Sequence, residues 1–93
     1  MIKNFNKIAK NVIQNEISSL KKLRNCFGKS FLKALDLISK CNGKLVLAGI
    51  GKSGLISRKI SATLSSTGTP SFFLQPSEAL HGDLGQITKQ DVL

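Results

Sequence analysis

The sequence has no tryptophan and no tyrosine, and only five of its 93 residues are acidic. Without these aromatic rings the chain has few platforms on which nucleic-acid bases could stack. Every apolar run is far shorter than the roughly 20 residues needed to span a bilayer, and the start of the chain lacks the apolar stretch of a signal peptide. We therefore expect a cytoplasmic protein without a membrane partner.

Cysteine and histidine are scarce as well. Cys26 and Cys41 are widely spaced, and the single histidine, His81, is far from both in sequence, so no zinc-ligand spacing is present. Two cysteines of this kind are ordinary apolar-face residues, because free cysteine is among the most buried residue types. The sequence predicts no metal site, no cofactor and no disulfide.

The remaining composition is that of a globular protein, with 41% hydrophobic and 20% charged residues and a net charge of +9. Eight of the 14 basic residues lie within the first 33 positions, spread at helical spacing among apolar residues. This distribution is typical of solvated helix faces. A basic helical nucleic-acid binder is the alternative, but it would leave a glycine-rich turn in the second half unexplained, so we expect no nucleic-acid partner.

Two amphipathic helices are predicted in the first half of the chain. Apolar residues recur at three- and four-residue steps from Phe5 to Leu23, which predicts the first helix. The pattern breaks at residues 26–29 and resumes with Ser30 as a candidate amino-terminal cap, and Asn42 and Gly43 end the second helix.

The second half predicts a strand, a helix and a second strand. The apolar run 44–49 is typical of a strand buried on both faces, and it leads into the glycine-rich turn 49–54. Helical spacing follows from Leu55 to Ser66, and 71–74 is a second short strand before the polar loop 75–85.

Such a unit places its two strands side by side in a parallel sheet. We expect an α/β chain with an amino-terminal helical segment, 1–43, and a βαβ unit, 44–93. Two strands do not form an independent sheet. Because residues 91–93 resemble the opening of a third strand, we expect the chain to be a truncated piece of a larger doubly wound parallel sheet.

The turn 49–54 has the pattern Gly-x-Gly-x-Ser-Gly between a strand and a helix. Glycines let the backbone approach a ligand, and the N–H groups at a helix start attract anions. Gly51, Lys52 and Ser53 could therefore bind a phosphomonoester or stabilise an oxyanion. A tight turn without a ligand is the alternative reading.

Two familiar phosphate motifs do not match this turn. A Walker loop requires a glycine five residues before Gly51, and none stands there. A dinucleotide fingerprint requires an acidic residue at the end of the second strand near Leu74, and none stands there.

His81 follows the second predicted strand, where α/β proteins collect their site residues. Its ordinary pKa lies near neutrality, so it is a candidate proton carrier, although a single loop histidine is often incidental. Glu78 and Asp83 are weaker candidates because exposed loop carboxylates are common.

Four segments of the sequence together form a recognisable pattern: 49–54, Arg58-Lys59, 65–73 and 78–85. This pattern resembles that of the arabinose-5-phosphate isomerases, a family of SIS-domain sugar-phosphate isomerases. The resemblance implies a five-stranded doubly wound SIS sheet and the interconversion of ribulose 5-phosphate and arabinose 5-phosphate, a precursor of Kdo in lipopolysaccharide synthesis. It also implies association into a homo-oligomer.

By the same resemblance, Lys52 matches a catalytic lysine and His81 a histidine that binds substrate and opens the sugar ring. Gly68 and Thr69 match a substrate contact, and Gly51 and Ser53 match the phosphate side of the site. The family's base is a glutamate in a segment beyond these 93 residues, so we expect the chain alone to be inactive.

Two positions depart from the family pattern. Gln75 stands where relatives often have a histidine associated with metal, so no zinc site is carried over. Leu55 stands where many relatives have histidine or tyrosine. A non-catalytic phosphosugar-binding or regulatory SIS module is the alternative function, but the first 43 residues leave no room for a separate DNA-binding unit.

Overall fold

The computed structural model describes residues 2–93, with side chains from residue 4 onward. The chain forms two compact units, Met1–Ala34 and Leu35–Leu93. The division of the sequence into 1–43 and 44–93 remains a prediction.

Two long helices open the chain. Helix α1 spans Ile2–Leu23, which confirms the first predicted helix, and helix α2 spans Lys29–Ser39. The prediction that Ser30 caps α2 is wrong. The carbonyl of Gly28 accepts the first helical hydrogen bond, from the N–H of Leu32 at 3.1 Å, so Gly28 is the cap and Ser30 already lies in the first turn.

The second unit is built on a small parallel sheet. Strand β1 (Leu45–Ala48) is followed by helix α3 (Lys52–Ser66) and strand β2 (Ser71–Leu74). The two strands pair in parallel, from Leu45 opposite Ser71 to Ala48 opposite Leu74. This arrangement confirms the predicted α/β class and the βαβ order.

Two boundaries differ from the prediction. Helix α3 begins at Lys52 and not at Leu55, so Lys52 and Ser53 lie in its first turn. The stretch after β2 is not an irregular loop, because it contains the short helix α4 (Pro76–Ala79) and a 3₁₀ helix, Asp83–Gln86. Proline suits the first turn of α4 since it has no N–H to leave unpaired.

The other edge of β1 pairs with Val92. The N–H of Val46 donates to the carbonyl of Val92 at 2.7 Å, and the N–H of Val92 donates to the carbonyl of Lys44 at 3.1 Å. The bridge between Leu45 and Val92 is parallel, as expected for the opening of a third strand. Strand β1 therefore lies centrally, with β2 on one side and Val92 on the other.

Helix α3 covers one face of this sheet. The hydroxyls of Ser61 on α3 and Ser71 on β2 are 2.8 Å apart, and the Ser65 hydroxyl donates to the Ser71 carbonyl at 2.8 Å. The most buried side chains belong to the strands and the helix between them: Val46 is 2% exposed, Leu74 5% and Ser61 4%. The core of the second unit thus lies along β1, β2 and α3.

Candidate functional site

The turn between β1 and α3 is held by close backbone packing. A Cβ atom placed on Gly54 would lie 2.6 Å from the Gly49 carbonyl oxygen, so no side chain fits there without a backbone shift. The ring of Phe73 lies on the same side, with its Cζ atom 3.6 Å from that Cβ position. Gly54 therefore lets the helix start pack directly against the end of β1.

Gly51 is the amino-terminal cap of α3, and its φ of 62° and ψ of −131° lie in a region that residues with a side chain rarely adopt. Its carbonyl accepts the first helical hydrogen bond, from the N–H of Leu55 at 3.2 Å. Gly51 thus turns the backbone into the helix at the end of the three-residue link, 49–51, between β1 and α3.

The first turn of α3 presents an electropositive surface. The N–H groups of Lys52, Ser53 and Gly54 have no hydrogen-bond partner among the described residues, and no side chain caps them. The first turn contains no acidic residue, and the side chains of Lys52 and Ser53 are exposed. Backbone N–H groups, a hydroxyl and an ammonium group thus point to an anion as the ligand.

The position of this turn in the sheet supports the same conclusion. The chain leaves β1 toward β2 on one side and later returns to the other side of β1 through Val92. In open α/β sheets, ligands bind outside the carboxyl ends of the strands at the point where the strand order reverses. The turn at Gly51 lies at the carboxyl end of β1, which is such a point.

His81 follows β2 at the same edge of the sheet, because Ala48 and Leu74 are paired at the ends of their strands. The segment is ordered by α4 and by a hydrogen bond from the His81 N–H to the Glu78 carbonyl at 3.0 Å. The His81 imidazole is exposed, and within residues 4–93 no hydrogen bond joins it to Lys52 or Ser53. Glu78 and Asp83 lie in the same segment.

Gly68 and Thr69 are placed differently. They precede β2, at its amino-terminal end, and the Thr69 N–H donates to the Leu64 carbonyl at 2.8 Å. A four-residue strand separates this edge from the edge of Lys52 and His81 by about 10 Å. Within one copy of the chain, the structure does not bring Gly68 and Thr69 together with the other candidate residues.

Asp91 has a structural role that the sequence reasoning missed. Its carboxylate accepts hydrogen bonds from the backbone N–H groups of Lys44 and Thr88, both at 2.7 Å. These two bonds, that of Lys44 first, lower the pKa of Asp91 below its ordinary value. Asp91 thereby fixes the residues just before Val92 against the start of β1.

Phe73 and Arg58 are a second pair that the sequence did not reveal. The Arg58 guanidinium carbon lies 4.4 Å from the centre of the Phe73 ring, in the geometry of a cation–π contact. The same ring lies over Gly54. The signal for this packing in the sequence was Gly54 in the first turn of α3, followed four residues later by Arg58.

The described residues 2–93 contain no cluster of three or more His, Cys, Asp or Glu side chains suited to a metal ion. Gln75 directly precedes α4 and is half-buried. In the part of the chain that the structure describes, no helix combines the length and apolar character required to cross a membrane.

Comparison with known proteins places these features in a family context. Residues 37–93 match the SIS domain family. The chain is 53% identical over 78 residues to arabinose 5-phosphate isomerase GutQ of Escherichia coli K12, covering 84% of this chain and 24% of GutQ. It is 48% identical over 90 residues to the uncharacterized protein RP505 of Rickettsia prowazekii, covering 97% of this chain and 28% of that protein.

Among solved structures, the c3406 protein of Escherichia coli CFT073, in complex with arabinose 5-phosphate, has the same fold with a TM-score of 0.85 and 40% sequence identity. The match covers 96% of this chain and 47% of the solved chain. This chain thus spans about half the length of that solved structure and about a quarter of the length of the curated relatives.

Proposed function

Because this chain belongs to the SIS domain family, we propose that its glycine-rich turn forms part of a phosphosugar site in an arabinose-5-phosphate isomerase. The reaction interconverts ribulose 5-phosphate and arabinose 5-phosphate. The observation that carries the proposal is the start of α3, where three unpaired N–H groups and the Lys52 and Ser53 side chains lie together at the carboxyl edge of the sheet.

The chemistry of the turn suits a phosphorylated pentose. A phosphate group carries negative charge, which the positive start of the helix and the Lys52 ammonium group attract. Its oxygens accept hydrogen bonds from N–H and O–H donors. The solved relative of the same fold holds arabinose 5-phosphate, which supports a sugar phosphate over a free anion as the ligand.

Isomerisation needs a base that moves a proton between neighbouring carbons and a positive group that stabilises the enediolate formed between them. We assign the stabilising role to Lys52. His81, at the same edge, is the candidate acid–base group for opening the sugar ring, since histidine is the side chain that most often transfers protons in enzymes. The base itself is assigned by family resemblance to a segment outside these residues.

Gly68 and Thr69 remain proposed substrate contacts, but they lie at the other edge of the sheet from Lys52. One copy of the chain therefore holds the two pairs of residues at opposite edges of its sheet. If both pairs contact substrate, they approach it from these opposite edges.

The test is to offer the 93-residue chain both sugar phosphates and to measure binding and turnover separately. We expect arabinose 5-phosphate to bind and arabinose to bind much more weakly, with no turnover by the chain alone. Binding without turnover, even after extension of the chain to the length of GutQ, would instead identify a non-catalytic phosphosugar-binding module. Absence of binding to the extended protein would contradict the proposal.

A further inference from the structure

Strand β2 has one side that no strand covers. Strand β1 pairs with its inner side, and among residues 2–93 no other strand pairs with its outer side. An open strand edge is a template for pairing with strands of other chains. The sequence of β2, Ser-Phe-Phe-Leu, adds to this hazard because it is uncharged and rich in residues of high β-propensity. The outer side of β2 is therefore where the chain needs protection.

The hydrogen bonds of β1 show which backbone groups of β2 point outward. The N–H of Leu45 donates to the carbonyl of Pro70 at 2.9 Å, so Pro70 faces β1. Backbone groups of successive residues alternate between the two sides of a parallel strand. Every second residue from Pro70 therefore faces β1, and the residues between them, Ser71 and Phe73, direct their N–H and C=O groups outward.

The Ser65 hydroxyl occupies both outward groups of Ser71. It accepts a hydrogen bond from the Ser71 N–H at 3.2 Å and donates one to the Ser71 carbonyl at 2.8 Å. A neighbouring strand would meet the same two groups with one carbonyl and one N–H. A hydroxyl can replace both because it is a donor and an acceptor at once. Ser65, near the end of α3, thus takes the place of a strand residue.

The next outward positions before and after β2 also have partners within the chain. The Thr69 N–H donates to the Leu64 carbonyl of α3 at 2.8 Å. The Gln75 carbonyl accepts from the Glu78 N–H at 3.0 Å, because the chain enters α4 there. Of the two outward residues of β2, only Phe73 has an N–H and a C=O without a hydrogen bond to the described residues.

We propose that the Ser65 hydroxyl is a block against strand addition, which closes the outer side of β2 to strands of other chains by occupying the N–H and C=O of Ser71. Ser65 is exposed, so it lies where an incoming strand would approach. With the hydroxyl in place, such a strand finds only Phe73 open. Without it, Ser71 and Phe73 form a continuous open edge, at which β2 of further copies can pair.

The test compares two variants of the 93-residue chain that differ only in the hydroxyl. Ser65→Thr keeps the donor and acceptor, and Ser65→Val has a methyl group in its place. Thioflavin T fluorescence measures β-aggregation under conditions in which both variants are folded. Ser65→Val is expected to aggregate at least about tenfold faster than Ser65→Thr. The rate for Ser65→Thr is expected within about threefold of that for the original chain.

Ser61→Ala is the control for a loss of stability. The Ser61 hydroxyl is buried and bonds to the Ser71 side chain, not to the outward backbone groups. At urea concentrations that leave the same fraction of each variant folded, Ser61→Ala is expected to aggregate at least about tenfold more slowly than Ser65→Val. Equal rates would show that lost stability, and not an open edge, causes the aggregation, and would overturn the proposal.

Amide hydrogen exchange in the original chain tests the proposal without any variant. The Ser71 N–H is expected to exchange at least about tenfold more slowly than the Phe73 N–H, because only the Ser71 N–H has a hydrogen-bond partner. Equal exchange of these two amides, or equal aggregation of Ser65→Val and Ser65→Thr, would contradict the proposal. None of these measurements involves a sugar phosphate, so this inference and the proposed function can fail separately.

Discussion

Gly54, in the first turn of α3, lies directly against the backbone of Gly49 at the end of β1. A Cβ atom on Gly54 would be 2.6 Å from the Gly49 carbonyl oxygen. This contact sets how closely the helix start approaches the strand, and therefore where the N–H groups of Lys52 and Ser53 lie. The candidate anion site depends on the absence of a side chain at this position.

Gly54→Ala is expected to destabilise the fold, although alanine favours helix formation over glycine by about 1 kcal/mol. Overpacking of this kind costs about 1 to 3 kcal/mol, because the backbone must move. Gly85→Ala is the matched control, since nothing lies within 4 Å of its Cβ position. Urea unfolding of both variants measures the difference, and equal stability of the two would contradict the packing described.

Lys52→Met is expected to weaken binding of arabinose 5-phosphate by about tenfold or more, because a hydrogen bond to a charged group contributes about 1.5 to 3 kcal/mol. Lys59 provides the control. It lies seven residues later on the same side of α3 and is also exposed, so Lys59→Met removes the same charge two turns away from the site. Isothermal titration of both variants checks this, and an equal loss of affinity would indicate only a general charge effect.

Ser61→Ala is expected to cost about 1 to 3 kcal/mol, because it removes the partner of the Ser71 hydroxyl from a buried position. Removing both hydroxyls in Ser61→Ala/Ser71→Ala should cost less than the sum of the single changes. The Ser66 hydroxyl, which bonds only to the Thr63 carbonyl of its own helix, is the control. Thermal unfolding of Ser61→Ala, Ser71→Ala, the double variant and Ser66→Ala measures these costs. If the cost of the double variant equals the sum of the two single costs, the pairing of the hydroxyls is contradicted.

Asp91 should make stability depend on pH in the acidic range. Its pKa is lowered in the folded chain by the N–H groups of Lys44 and Thr88. Its contribution is therefore complete above the ordinary carboxyl pKa of about 3.9 and is lost as the pH falls through the lower pKa of the folded state. Thermal unfolding measured between about pH 2.5 and 6 should show that the stability of Asp91→Asn depends less on pH than that of the original chain.

The control for that experiment is Asp36→Asn. The Asp36 carboxylate pairs only with Lys40 of its own helix, on an exposed surface, and such pairs contribute little to stability. The Asp36 variant should keep the pH dependence of the original chain. A pH profile that Asp91→Asn leaves unchanged would show that the contact at Lys44 does not stabilise the fold.

The order of helices and strands could be predicted from the sequence because apolar spacing changes character at Lys44 and again at Ser71. The parallel pairing followed from topology alone. The start of α3 was predicted three residues late, because the turn was delimited by its glycines. Gly54 is in fact a helical residue. A glycine is required there because Gly49 and Phe73, which are not adjacent to it in sequence, leave no space for a side chain.

The candidate site was predictable only in part. Gly51, Lys52 and Ser53 form one local turn, so their proximity follows from the sequence. Gly68 and Thr69 entered the prediction by family resemblance, and only the register of β2 shows that they lie at the opposite edge. The contact between Asp91 and Lys44 joins residues 47 positions apart, and no local sequence pattern indicates such a contact.

The most direct test of the central claim is a titration of the isotopically labelled chain with arabinose 5-phosphate, observed through its backbone amide resonances. The account predicts that the largest shifts fall on Lys52, Ser53 and Gly54, and that arabinose without phosphate leaves these amides unchanged. Shifts confined to other segments, with the amides at the start of α3 unmoved, would contradict the assignment of the phosphosugar site.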